Sequence, residues 1–141
     1  MRLLPSEQER LALFLAAELA RRRRGRGVRL SQAEATALIA DEAMELARDG
    51  LAYADVERRA YGILGPDDVL DGVEDLVDRI ELEPVFEDGP RLVVLYRPIA
   101  RGAPPDLTGD PAPVWLDAAA RLRVENTGAV AIGVTSHFHS S

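Results

Sequence analysis

The chain has 141 residues, a formal net charge of −7, 47% hydrophobic residues, and neither cysteine nor lysine. That length holds one compact domain, or a small domain with an added segment, and the apolar share is enough for a packed core rather than wholesale disorder. The composition excludes disulfides, thiolate metal sites, and any lysine Schiff base or carbamylated lysine within these residues.

All 17 basic residues are arginine, a bias that a GC-rich genome accounts for. No apolar run approaches the ~18 residues of a membrane span. The start, Met1-Arg2 followed by "LLPSEQERLALF", lacks a signal peptide's uncharged core and cleavage site, so a soluble cytosolic chain is expected. The charge is unevenly distributed. Residues 1–30 carry eight arginines against Glu7, Glu9 and Glu18, whereas residues 41–90 carry sixteen acids against Arg48, Arg58, Arg59 and Arg79. The two regions can pair with each other, with a second copy, or with a partner subunit.

The first predicted element is a helix over "PSEQERLALFLAAELARRRRGRG". Ser6 and Glu9 have capping-box spacing, and Leu11, Phe14, Leu15 and Leu19 recur as an apolar stripe expected to face the core. Arg21 to Arg24 complement the macrodipole at its end, and Gly25 and Gly27 stop it. A second helix starts at a Ser31–Glu34 capping box, carries Ala35, Leu38, Ile39, Glu42, Ala43 and Leu46 along one face, and stops at Gly50. A third, near Tyr53, turns Tyr53, Val56, Ala60 and Ile63 or Leu64 inward. A short fourth is expected from Pro66-Asp67-Asp68 through Val77.

At about Arg79 the period changes. Ile80, Leu82 and Val85-Phe86, a turn at Glu87-Asp88-Gly89, and the run Leu92 to Tyr96 predict a β-hairpin. The fold class expected is α+β. Residues 1–99 form a four-helix domain closed by an antiparallel hairpin, the Pro/Gly-rich residues 100–113 form a linker, and residues 114–141 form a short strand pair. In that tail, Arg121 to Glu125 and Ala131 to Phe138 are the strands and Asn126-Thr127-Gly128 the turn. Two strands alone are marginal in water, so they need a surface to pack on, or exchange between copies.

The candidate chemistry is sparse. The run "RRRRGRGVR" ends an amphipathic helix in an acidic chain without interleaved aromatics, which favours a solvated or interface-facing helix end over nucleic-acid binding. Asp67, Asp68, Asp71, Glu74, Asp75 and Asp78 lack the spacing of a calcium loop and read as an exposed face. Gly25-Arg26-Gly27 is no dinucleotide fingerprint, since it follows a helix and lacks a third glycine. No catalytic or cofactor-binding residue is singled out. The weak metal candidates are His137 and His139, whose H-x-H spacing puts both imidazoles on one face of a strand; two ligands are too few for a closed site.

Several linked motifs resemble a known family. Leu3-Leu4-Pro5, Arg21 to Arg24, Arg26-Gly27-Val28-Arg29-Leu30, Glu34 to Ile39 and Ala47-Arg48-Asp49-Gly50 are similar, in order and spacing, to the N-terminal half of a urease gamma subunit. "VLDGVEDLVDRIELEPVFEDGPRLVVLYRPI" continues that resemblance to about residue 99. Val124 to His139 resemble a urease beta subunit strand pair, and fused gamma–beta chains are a familiar arrangement. The sequence departs from the family pattern at Ser31-Gln32-Ala33 and Ala129-Val130-Ala131. The beta-like part also ends soon after His139, which reads either as a truncated chain or gene product or as a divergent paralogue.

The resemblance implies a non-catalytic structural subunit of a nickel-dependent urease. Urea hydrolysis to ammonia and carbamate would belong to a separate alpha subunit, whose histidines, aspartate and carbamylated lysine hold the nickel. It further implies the alpha subunit and a complete beta subunit as partners in a trimeric assembly, without nucleic acid or membrane. The competing expectation is a urease-like paralogue without that activity, forming its own homo-oligomer in a structural or regulatory role.

Overall fold

The computed structural model describes residues 5–105 and, in the tail, the backbone of residues 125–126. In chain order the elements are α1 (Pro5–Gly25), α2 (Gln32–Arg48), α3 (Tyr53–Ala60), a 3₁₀ turn (Pro66–Asp68), α4 (Val73–Leu76), β1 (Val77–Leu82), β2 (Val85–Phe86), β3 (Gly89–Pro90), β4 (Val93–Tyr96), α5 (Pro98–Arg101) and β5 (Glu125–Asn126). The class is α+β, as expected.

Helix α2 is the centre of the core. Its start is the predicted capping box: the Glu34 N–H donates to Ser31 Oγ at 3.2 Å, and the Ser31 N–H donates to Glu34 Oε1 at 2.8 Å. Its end is a Schellman turn. Gly50 takes φ +98°, its N–H reaches the Ala47 carbonyl at 3.0 Å, and the Leu51 N–H reaches that of Leu46 at 3.2 Å. Between these ends, Ala35 through Asp41, Ala43 and Ala47 are all buried, because α1, α3, β1 and β2 pack around the helix.

Helix α1 lies against α2 with the face opposite to the one expected. Leu13, Ala17 and Ala20 are buried, whereas Leu11, Phe14, Leu15 and Leu19 are 47, 41, 66 and 46% exposed. Both faces have helical spacing, so periodicity alone favours the larger side chains. The contact is decided by fit instead, since alanines on α1 and on α2 let the two backbones approach closely. Ser6 and Glu9 do not cap this helix. It already begins at Pro5, whose fixed φ and missing N–H suit a first turn.

The fourth helix expected from Pro66 to Val77 is likewise broken. Leu30 and Val69 form a parallel bridge, with the Leu30 N–H on the Asp68 carbonyl and the Leu70 N–H on the Leu30 carbonyl, both at 2.9 Å. Val69 is thereby extended, and Gly72 at φ +86° turns the chain before the single turn of α4.

Strand β1 pairs antiparallel with β4 in the register Arg79↔Tyr96 to Leu82↔Val93, and β2 with β3 around the two-residue turn Glu87-Asp88. The predicted hairpin is therefore present, with a smaller hairpin nested at its tip. Alternate residues Ile80 and Leu82 on β1, and Val93 and Leu95 on β4, enter the core.

Aromatic residues fix the sheet to α3. The Tyr53 hydroxyl donates to the Leu92 carbonyl at 2.7 Å, the Tyr53 ring lies 5.5 Å from that of Phe86, and Arg91 sits 4.5 Å over Tyr53. The buried Tyr61 hydroxyl accepts the Tyr96 N–H at 2.8 Å, and burial pushes its pKa up to about 12.

The other edge of β1 takes β5, with Val77↔Asn126 and Arg79↔Glu125, giving the strand order β4-β1-β5. Asn126 is a strand residue here, where a turn was expected. The rest of the predicted tail strands, and residues 106–113 of the expected linker, lie outside the described residues.

Candidate functional site

The arginines of α1 meet the acids of α2 at a half-buried ionic cluster centred on Asp41. Asp41 is fully buried and takes a guanidinium on each oxygen: Arg10 Nη1 at 2.6 Å on Oδ1, and Arg21 Nη2 on Oδ2. Arg10 also reaches Glu45 at 2.6 Å; Arg21 reaches Glu42 at 2.8 Å and Glu18 at 3.1 Å. Burial works against the charge on Arg21, but its hydrogen bonds to Asp41 and Glu42 prevail and raise its pKa above the ordinary value.

Further along, Arg23 pairs with Glu34, Arg24 with Asp68 at 3.3 Å, Arg29 with Asp71 at 2.8 Å, and Arg97 with Asp75. The uneven charge of the sequence is thus largely matched within the chain. The acids from Asp67 to Asp78 form no single helix face. Asp68 accepts the Gly65 N–H at 2.8 Å across the 3₁₀ turn, and Asp71 and Asp75 hold arginines from other segments.

Glu34 combines the capping box with the Arg23 ion pair. Burial alone would raise its pKa, but the Ser31 N–H and the Arg23 guanidinium outweigh burial and lower it below 4.5. A lowered folded-state pKa means stability that is complete above the unfolded value and lost as pH falls through the folded one. In parallel urea titrations of the wild type and Glu34→Gln from pH 7 to pH 3, the stability difference should be constant down to about pH 5 and shrink below it. A difference independent of pH would show that Glu34 carries no such coupling.

A groove of about 720 Å³ opens between the N-terminal part of α1, the end of α2 and the nested hairpin. Arg10, Met44, Arg48, Glu83, Val85 and Phe86 are among its lining residues, which among the described residues include acids and arginines but no histidine. No group of three or more metal-binding side chains occurs among the described residues. His137 and His139 lie outside the described residues. No helix among the described residues is long and apolar enough to cross a membrane.

Part of the described surface is apolar. Leu11, Phe14, Leu15 and Leu19 form a continuous stripe along α1; Val28, Leu70, Leu76 and Val85 are exposed elsewhere. Contiguous apolar patches on folded domains mark candidate contact surfaces. The sequence contained the stripe but placed it inside. The signal that identifies it is the second periodic set, Leu13, Ala17 and Ala20, on the opposite side of the same helix.

The fold and its surface define a small α+β domain held together by internal ion pairs, with an apolar helix face turned outward. Comparison with known proteins assigns it more narrowly. Residues 1–99 match the family model described as urease, gamma subunit. A urease subunit gamma/beta from Streptomyces coelicolor is 52% identical over 99% of this chain and 63% of its own length. A urease subunit gamma from Natronomonas pharaonis is 50% identical over 70% of this chain and 91% of its own length. A urease subunit gamma/beta from Pseudomonas syringae pv. tomato is 41% identical over 99% of this chain. The chain belongs to the urease gamma subunit family. It spans about 63% of the length of the Streptomyces relative, and its similarity to that relative extends through the tail.

Proposed function

We propose that this chain is a structural, non-catalytic subunit, gamma plus part of beta, of a nickel-dependent urease. Urea is hydrolysed to ammonia and carbamate by a separate alpha subunit that holds the nickel. In this reading, residues 1–99 are the gamma-like domain, 100–113 the linker and 114–141 a partial beta-like segment. The observation that carries the proposal is the gamma-family match over residues 1–99, continued by similarity to gamma/beta chains through the tail.

The donor set of the described residues does not fit a nickel centre. It contains no histidine, and its buried carboxylate Asp41 is already held by two arginines. No chemical step is therefore assigned to the described residues. The competing reading, a urease-like paralogue forming its own homo-oligomer, draws on the same apolar helix face.

The experiment is co-expression with a tagged urease alpha subunit, with and without a complete beta subunit. Co-purification of this chain in fixed stoichiometry supports the subunit reading. Failure to associate in either combination supports the paralogue.

A further inference from the structure

We infer that α3 is a latch on the free edge of β4: Tyr53 and Tyr61 occupy outward backbone groups at the two ends of that edge and close it to a further strand. β4 stands at the end of the order β4-β1-β5, so one of its sides has no neighbouring strand among the described residues. Such a side presents N–H and C=O groups to which another chain can add. The far edge of β1 is taken by β5.

Which backbone groups face outward follows from the register. The Arg91 N–H donates to the Pro84 carbonyl at 3.1 Å and the Arg97 N–H to the Asp78 carbonyl at 2.7 Å, both on the β1–β2 side. Backbone direction alternates along a strand, so Leu92, Val94 and Tyr96 turn their groups the other way. The Tyr53 hydroxyl donates to the Leu92 carbonyl at 2.7 Å, and the Tyr61 hydroxyl accepts the Tyr96 N–H at 2.8 Å. One helix therefore holds both ends of the outward row, with half-buried Val94 between them.

The lengths agree. The helical rise from Tyr53 to Tyr61 is about 12 Å, and the strand from Leu92 to Tyr96 spans about 13 Å. Tyr61 is the C-cap of α3, so the match uses the whole helix. Buried Val56 and Ala60 pack α3 down between the two tyrosines, and Arg91, over the Tyr53 and Phe86 rings, closes one end. Each hydroxyl does at the edge what a strand's backbone would do. Unlike a strand, α3 offers no continuing row of free groups, because its own are used within the helix. The inference concerns the domain by itself and does not depend on its place in a urease.

The test uses the full chain with Tyr53→Phe, Tyr61→Phe and the double variant, which lose the hydroxyls and keep the rings. Amide hydrogen exchange followed by NMR should be about tenfold faster at Tyr96 in Tyr61→Phe. Leu95, whose N–H faces β1, should change by less than about twofold. The released β4 edge should then pair with that of a second copy. Held well below its unfolding midpoint, the double variant should form thioflavin T-positive species at least about fivefold faster than the wild type. Leu13→Ala, weakened in the α1–α2 contact away from β4, is the control, with urea adjusted so that both variants have the same unfolded fraction. It should lag behind the double variant. Unchanged exchange at Tyr96, equal acceleration at Tyr96 and Leu95, or strand-paired species forming no faster than in the wild type or the control would each overturn the inference.

Discussion

Leu13→Ala is expected to destabilise the domain by about 2–5 kcal/mol, whereas Leu15→Ala, two residues along the same helix, should change stability by less than about 0.5 kcal/mol. The residue type, helix and local sequence are nearly the same, so propensity cancels. What differs is the environment: Leu13 is 2% exposed in the α1–α2 contact, and Leu15 is the most exposed member of the outer stripe. Removing the Leu13 side chain leaves a cavity between two helices whose alanines cannot move in to fill it. Urea denaturation of both variants, at concentrations low enough to keep the chain monomeric, decides the point. Had the helix packed by its larger leucines, the order of the two effects would be reversed.

The second large effect is expected at Asp41. Asp41→Ala leaves Arg10 and Arg21 facing each other without their shared carboxylate. Breaking a buried ion pair from one side costs about 3–5 kcal/mol. Here both guanidiniums are partly exposed and keep Glu18, Glu42 and Glu45, so a loss of about 2–3 kcal/mol is expected. Glu45→Ala, which removes the more exposed partner of Arg10, should cost less than about 1 kcal/mol. Equal effects at the two positions would show that Asp41 contributes no more than a surface pair.

These expectations follow from features of unequal legibility. Local signals were readable: the Ser31–Glu34 box, the Gly50 turn and the turn at Glu87-Asp88-Gly89, whose Gly89 already belongs to β3, each depend on residues within five positions of one another. The fourth helix misled because its interruption is not local. Val69 is held extended by Leu30, almost forty residues earlier, and only Gly72 hinted at a break. On α1 two apolar faces shared one period, and which of them was buried depended on the size of the α2 residues opposite.

The candidate site divides along the same line. The charge imbalance was plain, but three pairings were open. The fold chose the internal one for Arg10, Arg21, Arg23, Arg24 and Arg29, because α1 crosses α2 where its acids project and the loop after α1 crosses the 66–71 segment. The family resemblance rested on several spaced motifs, and so it survived errors in placing individual elements. His137 and His139, which contributed to that resemblance, lie beyond the described residues.

The central claim is that this chain supports urea hydrolysis without performing it. Its direct test is ammonia release from urea by a nickel-loaded urease alpha subunit, co-expressed with its accessory proteins and a beta subunit, in the presence and absence of this chain. The account predicts activity only when the chain is present in the complex, and none from the chain with nickel alone. Equal activity without the chain, or hydrolysis by the isolated chain, would contradict it.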